Sequence, residues 1–140
     1  MTAAIQTLRW DGTNLILLDQ TALPSSVSYL TCSTWESVSD AIRRLAVRGA
    51  PAIGVAAAYG LVLAAAQLSR ENLSTDEYRK RFESACMQMN ASRPTAVNLS
   101  WAVEKIRSLF LREGPGPGLR DRLLEEAVRI EEEDRQITEK

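Results

Sequence analysis

The chain has 140 residues, which suits one domain, and 45% of them are hydrophobic while 25% are charged, as in ordinary globular proteins. The formal net charge of −1 argues against nucleic acid as the main partner, because neutralising phosphates requires a basic face. The sequence contains no histidine, which excludes imidazole-dependent catalytic triads and His-containing zinc sites.

The first part of the chain predicts a small antiparallel sheet. Segments 5–10 and 14–18 flank Asp11-Gly12, a dipeptide typical of β-hairpin turns. A third strand is predicted over 27–32, where apolar and polar residues alternate. Asp19, which follows the second strand, is expected to cap a loop rather than to belong to a site.

Helices are predicted after the sheet. Ser33 as N-cap and Glu36 three residues later form the pattern of a capping box, and the helix that follows is expected to end at Gly49. Pro51 is predicted to start a second helix, which reaches about Ser69. Its uncharged run is too rich in alanine and glycine for a bilayer span, so we expect a central core helix and no membrane association.

Three further helices complete the prediction. One opens at a capping box of Ser74 and Glu77, and the next starts near Pro94. The Gly/Pro run 114–118 separates them from a last helix that begins at about Leu119. The residues expected to form the apolar faces of these helices are Tyr78, Phe82, Ala85 and Met89, then Val97, Trp101 and Leu109, then Leu123, Ala127, Ile130 and Ile137. The acidic residues of the last helix are expected to be solvated.

The most specific pattern is residues 48–54, in which Arg48 and Gly49 stand directly before the helix-starting Pro51. A guanidinium next to the free N–H groups of a helix N-terminus suits a phosphate or a carboxylate. Arg93-Pro94 repeats the design, so two arginines could converge on one anion. A tight helix–helix turn could contain the same residues, and these two interpretations remain about equally supported.

No other residues complete a catalytic set. The tryptophans at 10, 35 and 101 are expected to anchor the core. Cys32 and Cys86 are expected to be packed thiols, since neither has a neighbouring cation in sequence that would lower its pKa. The residues alone therefore predict an α+β domain with an anion-binding turn and without a paired acid and base.

Longer stretches resemble one family. Residues 41–42 with 47–60, and 92–99 with Trp101-Ala102, are similar to the methylthioribose-1-phosphate isomerases, as are 10–12 and 17–20 with Leu23-Pro24. The resemblance covers the chain up to about Asp134. It implies aldose–ketose isomerisation in methionine salvage, with neither a metal nor a nucleotide cofactor. It further implies that Arg48, Gly49, Ala50 and Arg93 contact the sugar-phosphate substrate. A cytoplasmic location is expected from the two cysteines, which form no disulfide framework and suit a reducing compartment.

The resemblance also implies what is missing. Family members have a Rossmann-like C-terminal domain that carries the catalytic cysteine and aspartate, and they are typically homodimers. Nothing here matches that domain, so residues 1–140 are expected to be the N-terminal domain, with a sheet in 1–32 and a helical part in 33–140, inactive alone. The alternatives are a regulatory subunit of the translation-initiation exchange factor, which shares the fold, and a ribose-1,5-bisphosphate isomerase.

Overall fold

The computed structural model describes residues 7–44, 47 and 50–138. Strands β1 (Leu8–Trp10), β2 (Leu15–Leu18) and β3 (Tyr29–Cys32) form an antiparallel sheet in the order β1-β2-β3. The helices in this part of the chain are α1 (Trp35–Arg43), α2 (Ala50–Ser69), α3 (Thr75–Ala91), α4 (Val97–Glu113) and α5 (Leu119–Thr138). The predicted α+β class, a small sheet against a mainly helical bundle, is confirmed.

The hairpin between β1 and β2 forms at the predicted dipeptide. The Asp11 carboxylate accepts hydrogen bonds from the backbone N–H groups of Thr13 and Asn14, at 2.8 and 2.6 Å, and these bonds lower its pKa. Gly12 has a φ of +105°, which a residue with a side chain rarely adopts. The turn pairs Trp10 with Leu15 and so directs alternate residues of β2 towards the core. As predicted, Asp19 caps a loop, the short 3₁₀ helix Gln20–Ala22.

The start of α1 differs from the prediction. Thr34, not Ser33, is the N-cap, and the third helical residue is Ser37, not Glu36. The Thr34 hydroxyl accepts from the Ser37 N–H at 3.1 Å, and the Ser37 hydroxyl accepts in turn from the Thr34 N–H. Both residues suit a cap chemically, so the helix begins one residue later than the simplest pattern indicates.

Helix α2 is the centre of the molecule, as predicted. Residues 53–65 are all buried, and α2 is in contact with β1, β2 and the other four helices. Residues 51–69 are long and apolar enough to cross a membrane, yet most of them are covered by the rest of the fold, which identifies a core helix. Small side chains allow close neighbours: a Cβ on Gly60 would lie 2.6 Å from Met89 Cε and 3.1 Å from Val38 Cγ1.

Helix α3 buries its predicted face, Tyr78, Phe82, Ala85 and Met89. Its N-cap is Ser74, as predicted, because the hydroxyl accepts from the Glu77 N–H at 3.1 Å. The Glu77 carboxylate does not return the bond to the cap. It lies 3.1 Å from the Arg81 guanidinium one turn further on, so only half of the predicted capping box forms.

Helix α4 corrects two predictions. It begins at Val97, three residues after Pro94, because the Ala96 N–H bonds to the Arg93 carbonyl oxygen and closes a turn there. Val97 is 78% exposed and Trp101 46% exposed, so they are not core residues. The buried face consists instead of Leu99, Ala102, Val103, Ile106 and Phe110.

Candidate functional site

A cleft of about 340 Å³ opens where the first turns of α2 and α4 meet the C-terminal half of α5. Its volume lies at the small end of the range for ligand sites. The residues that line it are Pro51, Gly54 and Val55 of α2, Val97, Asn98, Trp101 and Ala102 of α4, and Ile130, Glu133 and Asp134 of α5. Two helix N-termini therefore share one cleft, as the paired arginine motifs suggest.

The two helices approach closely because of one glycine. A Cβ built on Gly54 would lie 2.8 Å from the Asn98 carbonyl oxygen, a distance that real Cβ atoms essentially never show. Gly54 therefore allows the first turns of α2 and α4 to touch backbone to backbone. The positive dipole ends of both helices then lie at the same end of the bundle.

The N-terminus of α4 has no side-chain cap. Its N-cap is Ala96, which offers no acceptor oxygen, and the first intrahelical bond runs from the Ser100 N–H to the Ala96 carbonyl oxygen at 3.2 Å. The N–H groups of the first helical turn thus lack the acceptor that Thr34 supplies to α1 and Ser74 to α3. An anionic group in the cleft could take that role.

The wall opposite the helix N-termini is acidic. Glu133 and Asp134 of α5 line the cleft, and both carboxylates can accept hydrogen bonds from hydroxyl groups. One turn earlier on α5, Glu131 is half-buried and accepts the Tyr59 hydroxyl hydrogen bond at 2.6 Å. The prediction that the acidic residues of this helix are all solvated is therefore wrong for Glu131, which ties α5 to the core helix.

The predicted site residues are described only in part. Arg48 and Gly49 lie outside the described residues. Ala50 is the first residue of α2, next to Pro51, which lines the cleft. The helix thus begins where the motif predicts, within one residue.

Arg93 lies in the turn between α3 and α4, which ends at the N-terminus of α4. It is half-buried, does not line the cleft, and makes no ion pair with another described residue. Three residues separate it from Val97, so its backbone lies at the same end of the bundle as the cleft. Whether Arg93 and Arg48 bind one anion remains a prediction.

Both thiols are buried, as predicted. Burial raises the pKa of Cys32, and it raises the pKa of Cys86 to about 12 with help from the nearby Glu83 carboxylate. Neutral, inaccessible thiols are poor nucleophiles. Among the described residues, no group of three or more His, Cys, Asp or Glu side chains could hold a metal ion.

Several cleft residues were not predicted as such. Val97 and Trp101 were assigned to the core, and Glu133 and Asp134 to a solvated face. One signal in the sequence could have corrected the first assignment: Leu99, Ala102, Val103, Ile106 and Phe110 form a longer stripe at helical spacing than Val97, Trp101 and Leu109. That stripe places Val97 and Trp101 on another face. Nothing local marks Glu133, because α5 reaches the cleft only through the tertiary fold.

The sequence model of the Initiation factor 2 subunit family matches residues 46–140, more than half of the chain. Methylthioribose-1-phosphate isomerase of Pelotomaculum thermopropionicum is 50% identical over 133 residues, which cover 93% of this chain and 36% of that protein. The same enzyme of Rhodopirellula baltica is 47% identical over 124 residues. The chain thus spans about a third of the length of these curated relatives.

Two solved structures have a similar fold. The crystal structure of 5-methylthioribose 1-phosphate isomerase from Pyrococcus horikoshii has a TM-score of 0.85 at 33% identity, covering 94% of this chain and 37% of that one. The crystal structure of translation initiation factor eIF-2B, subunit delta, from A. fulgidus has a TM-score of 0.82 at 37% identity, covering 93% and 37%. The similarity of fold therefore includes both an enzyme and a translation-factor subunit.

Proposed function

The chain belongs to the Initiation factor 2 subunit family, and from this premise we propose that it is the substrate-binding N-terminal domain of a methylthioribose-1-phosphate isomerase. The complete enzyme would convert 5-methylthioribose 1-phosphate to 5-methylthioribulose 1-phosphate. It would act in the cytoplasm as a homodimer, without a cofactor, and it would bind neither nucleic acid nor membrane. Residues 1–140 would form one domain, with its sheet in 1–32 and its helices in 33–140.

The observation that carries the proposal is the chemistry of the cleft, which fits the three parts of this substrate. The uncapped N-terminus of α4 and the start of α2 suit the phosphate. Apolar groups of Val97, Trp101 and Ile130 offer a surface for the methylthio group. The Glu133 carboxylate can accept hydrogen bonds from the ribose hydroxyls.

In this proposal Arg48 and Arg93 neutralise the phosphate, while Gly49 and Ala50 let the backbone approach it. A guanidinium is suited to this role, since its planar fork can form two hydrogen bonds with a phosphate. The chain itself would bind and orient the substrate and exclude water from one side. The groups that move protons or hydride would come from a second domain, so this chain alone would not isomerise the substrate.

A composite enzyme tests this function. The matching 133 residues of the Pelotomaculum relative are replaced by this chain, and isomerisation of 5-methylthioribose 1-phosphate is measured. We expect activity, and we expect Arg48→Ala and Arg93→Ala each to raise KM at least 10-fold. Losing a hydrogen bond to a charged group costs about 1.5–3 kcal/mol, which corresponds to about a 10- to 150-fold loss of affinity.

Arg70→Ala is the matched control. Arg70 is exposed and follows the opposite end of α2, about 30 Å from its N-terminus at 1.5 Å per residue, so its removal should leave KM unchanged. A composite enzyme without isomerase activity would contradict the proposed function. Unchanged kinetics in both arginine variants would contradict the phosphate role alone.

The second candidate is a regulatory subunit of a translation initiation factor. It is favoured by the 37% identity and the TM-score of 0.82 to the eIF-2B delta structure. A subunit that acts only through assembly has no need of a phosphate-binding cleft. An inactive composite, together with no binding of 5-methylthioribose 1-phosphate to the chain, would favour this candidate.

A further inference from the structure

A buried pair of hydroxyl groups lies directly beside Arg93. Ser39 of α1 is 3% exposed and Ser92 is 6% exposed, and their Oγ atoms are 2.5 Å apart. Tyrosines and cysteines apart, they are the two buried residues with polar side chains among those the structure describes. Ser92 immediately precedes Arg93 in the chain, so this hydrogen bond attaches the turn between α3 and α4 to α1.

The remaining hydrogen bonds of the turn are local or come from its other side. The Ser92 hydroxyl also lies 3.3 Å from the Gln88 carbonyl oxygen, one turn back on α3, to which it can donate. The Ser92 N–H donates to the Met89 carbonyl oxygen at 3.1 Å, and the Ala96 N–H donates to the Arg93 carbonyl oxygen at 2.9 Å. The Ser100 hydroxyl donates to Asn90 Oδ1 at 3.0 Å and joins the start of α4 to the end of α3. Ser39 is thus the residue whose side chain ties this turn to α1.

Packing alone does not require hydroxyl groups at these positions. A buried hydroxyl is costly unless it is paired, and two small apolar residues could fill the same space. A paired polar contact instead has one preferred geometry, which fixes Ser92 and therefore the backbone from which Arg93 extends. Since Pro94 and Thr95 are exposed, little packing would otherwise hold this turn.

We infer that Ser39 is a positioning residue for Arg93: through Ser92 it fixes the turn from which the guanidinium reaches the substrate phosphate. This inference rests on the proposed function only for the identity of the ligand. The effect of Ser39 on the stability of the turn can be measured without any ligand.

The first test uses the 140-residue chain and hydrogen exchange of the Ala96 amide, which reports the Arg93–Ala96 turn. Ser39→Ala is expected to speed this exchange about 5-fold, the effect of losing one hydrogen bond. Tyr78→Phe is the control, because it removes a hydroxyl that donates to the Ala65 carbonyl oxygen of α2 at 2.9 Å and lies 3.1 Å from Ser69 Oγ. Tyr78 precedes Ser92 by 14 residues, near the far end of α3. The substitution should leave the Ala96 rate unchanged, since a turn exchanges by local opening.

The second test is an NMR titration of the same chain with 5-methylthioribose 1-phosphate. We expect Ser39→Ala to raise the Kd about 5-fold, and Arg93→Ala to raise it at least 10-fold. If Ser39 acts through Arg93, Ser39→Ala should have no further effect on the Kd in the Arg93→Ala background. A merely structural role would give the same factor in both backgrounds.

The outcomes separate the two proposals. If Arg93→Ala leaves the Kd unchanged, or no binding is seen, the phosphate role fails whatever happens at Ala96. If Arg93→Ala weakens binding while Ser39→Ala changes neither the Ala96 exchange nor the Kd, the positioning role fails. Should Ser39→Ala fail to fold, Ser39→Cys replaces it, because a thiol is a weaker hydrogen-bond partner for Ser92 and leaves the bond from the Ser92 hydroxyl to the Gln88 carbonyl oxygen in place.

Discussion

Thr34 stabilises the first turn of α1 through a reciprocal pair of hydrogen bonds with Ser37. Both hydroxyls satisfy backbone N–H groups that a helix start leaves without an intrahelical partner. Ser33 is exposed and does not cap the helix, although it is as suitable chemically. At this scale the existence of a cap was predictable, while the choice between adjacent residues depended on where the chain leaves β3.

The cap can be tested by two single substitutions. Thr34→Ala is expected to lower the free energy of unfolding by about 1 kcal/mol, because it leaves the Ser37 N–H without its acceptor. Ser33→Ala should change it by less than about 0.5 kcal/mol, as is usual for exposed positions. Urea unfolding of both variants measures the difference. An equal loss of unfolding free energy in both would contradict the assignment of Thr34 as the N-cap.

Trp101 shows the limit of reasoning from residue type. A large aromatic side chain in an apolar segment is usually a core residue, yet this one is half exposed and lies with Lys105 above its ring at 5.2 Å. Its exposure can be inferred only from the buried face of α4, which contains Leu99, Val103 and Ile106 and leaves Trp101 to one side. The arginine motifs were recognisable because their neighbours, proline and glycine, have strong positional preferences.

The contact between the first turns of α2 and α4 is the element on which the cleft depends. The Asn98 carbonyl oxygen occupies the space where any side chain at Gly54 would begin. The contact involves backbone on one side, so it cannot yield as a flexible side chain would. The two helix N-termini can therefore be this close only because Gly54 carries a hydrogen atom where other residues carry a Cβ atom.

Gly54→Ala should accordingly separate the two helices. We expect the free energy of unfolding to fall by about 1–3 kcal/mol, despite the higher helix propensity of alanine, and the affinity for 5-methylthioribose 1-phosphate to fall with it. Gly60→Ala is the comparison, because its closest contact is the mobile end of the Met89 side chain. Thermal unfolding and the NMR titration measure both, and a larger effect at Gly60 would contradict this account.

Helices were predicted more accurately than their ends. The apolar face of α3 followed from regular spacing, as did Leu123, Ala127 and Ile130 of α5, while the side chain of Ile137 lies outside the described residues. The core position of α2 followed from its lack of charge. The start of α4 was misplaced because Pro94 is as compatible with a turn as with a first helical residue. Tertiary contacts decide between these two, and the local sequence does not contain them.

The molecule as a whole is one core arranged around α2, with the sheet and four helices as its cover. Cys86 belongs to this core, and its thiol has a pKa of about 12. In the unfolded chain a thiol ionises near pH 8.5–9. The folded state therefore retains a proton that the unfolded state loses, so stability is full below about pH 9 and declines as the pH rises towards 12.

The expected loss of stability at alkaline pH can be assigned to Cys86 by mutation. Cys86→Ala should reduce the slope of unfolding free energy against pH between 9 and 11 by up to about 1.4 kcal/mol per pH unit, the equivalent of one proton. Some slope should remain, because burial also raises the pKa values of Cys32 and Tyr78. Urea unfolding at several pH values provides the measurement, and identical slopes in the two proteins would refute the assignment.

The acidic wall of the cleft could not be predicted at any smaller scale. Glu133 and Asp134 reach the cleft because α5 returns along α2, and the Tyr59–Glu131 hydrogen bond fastens it there. Such an arrangement depends on the path of the whole chain. The sequence indicates that a helix with an apolar stripe exists, without indicating which end of the bundle it approaches.

The uniform burial of α2 has a consequence during synthesis. The ribosome completes α2 at Ser69, and the segment that becomes α5 begins only at Leu119, fifty residues later. At about 5–20 residues per second, the most apolar helix of the nascent chain waits several seconds for part of its cover. During that interval it has the composition of a membrane span. We therefore expect the nascent chain to need protection from aggregation, for example by a chaperone, until α5 has been synthesised.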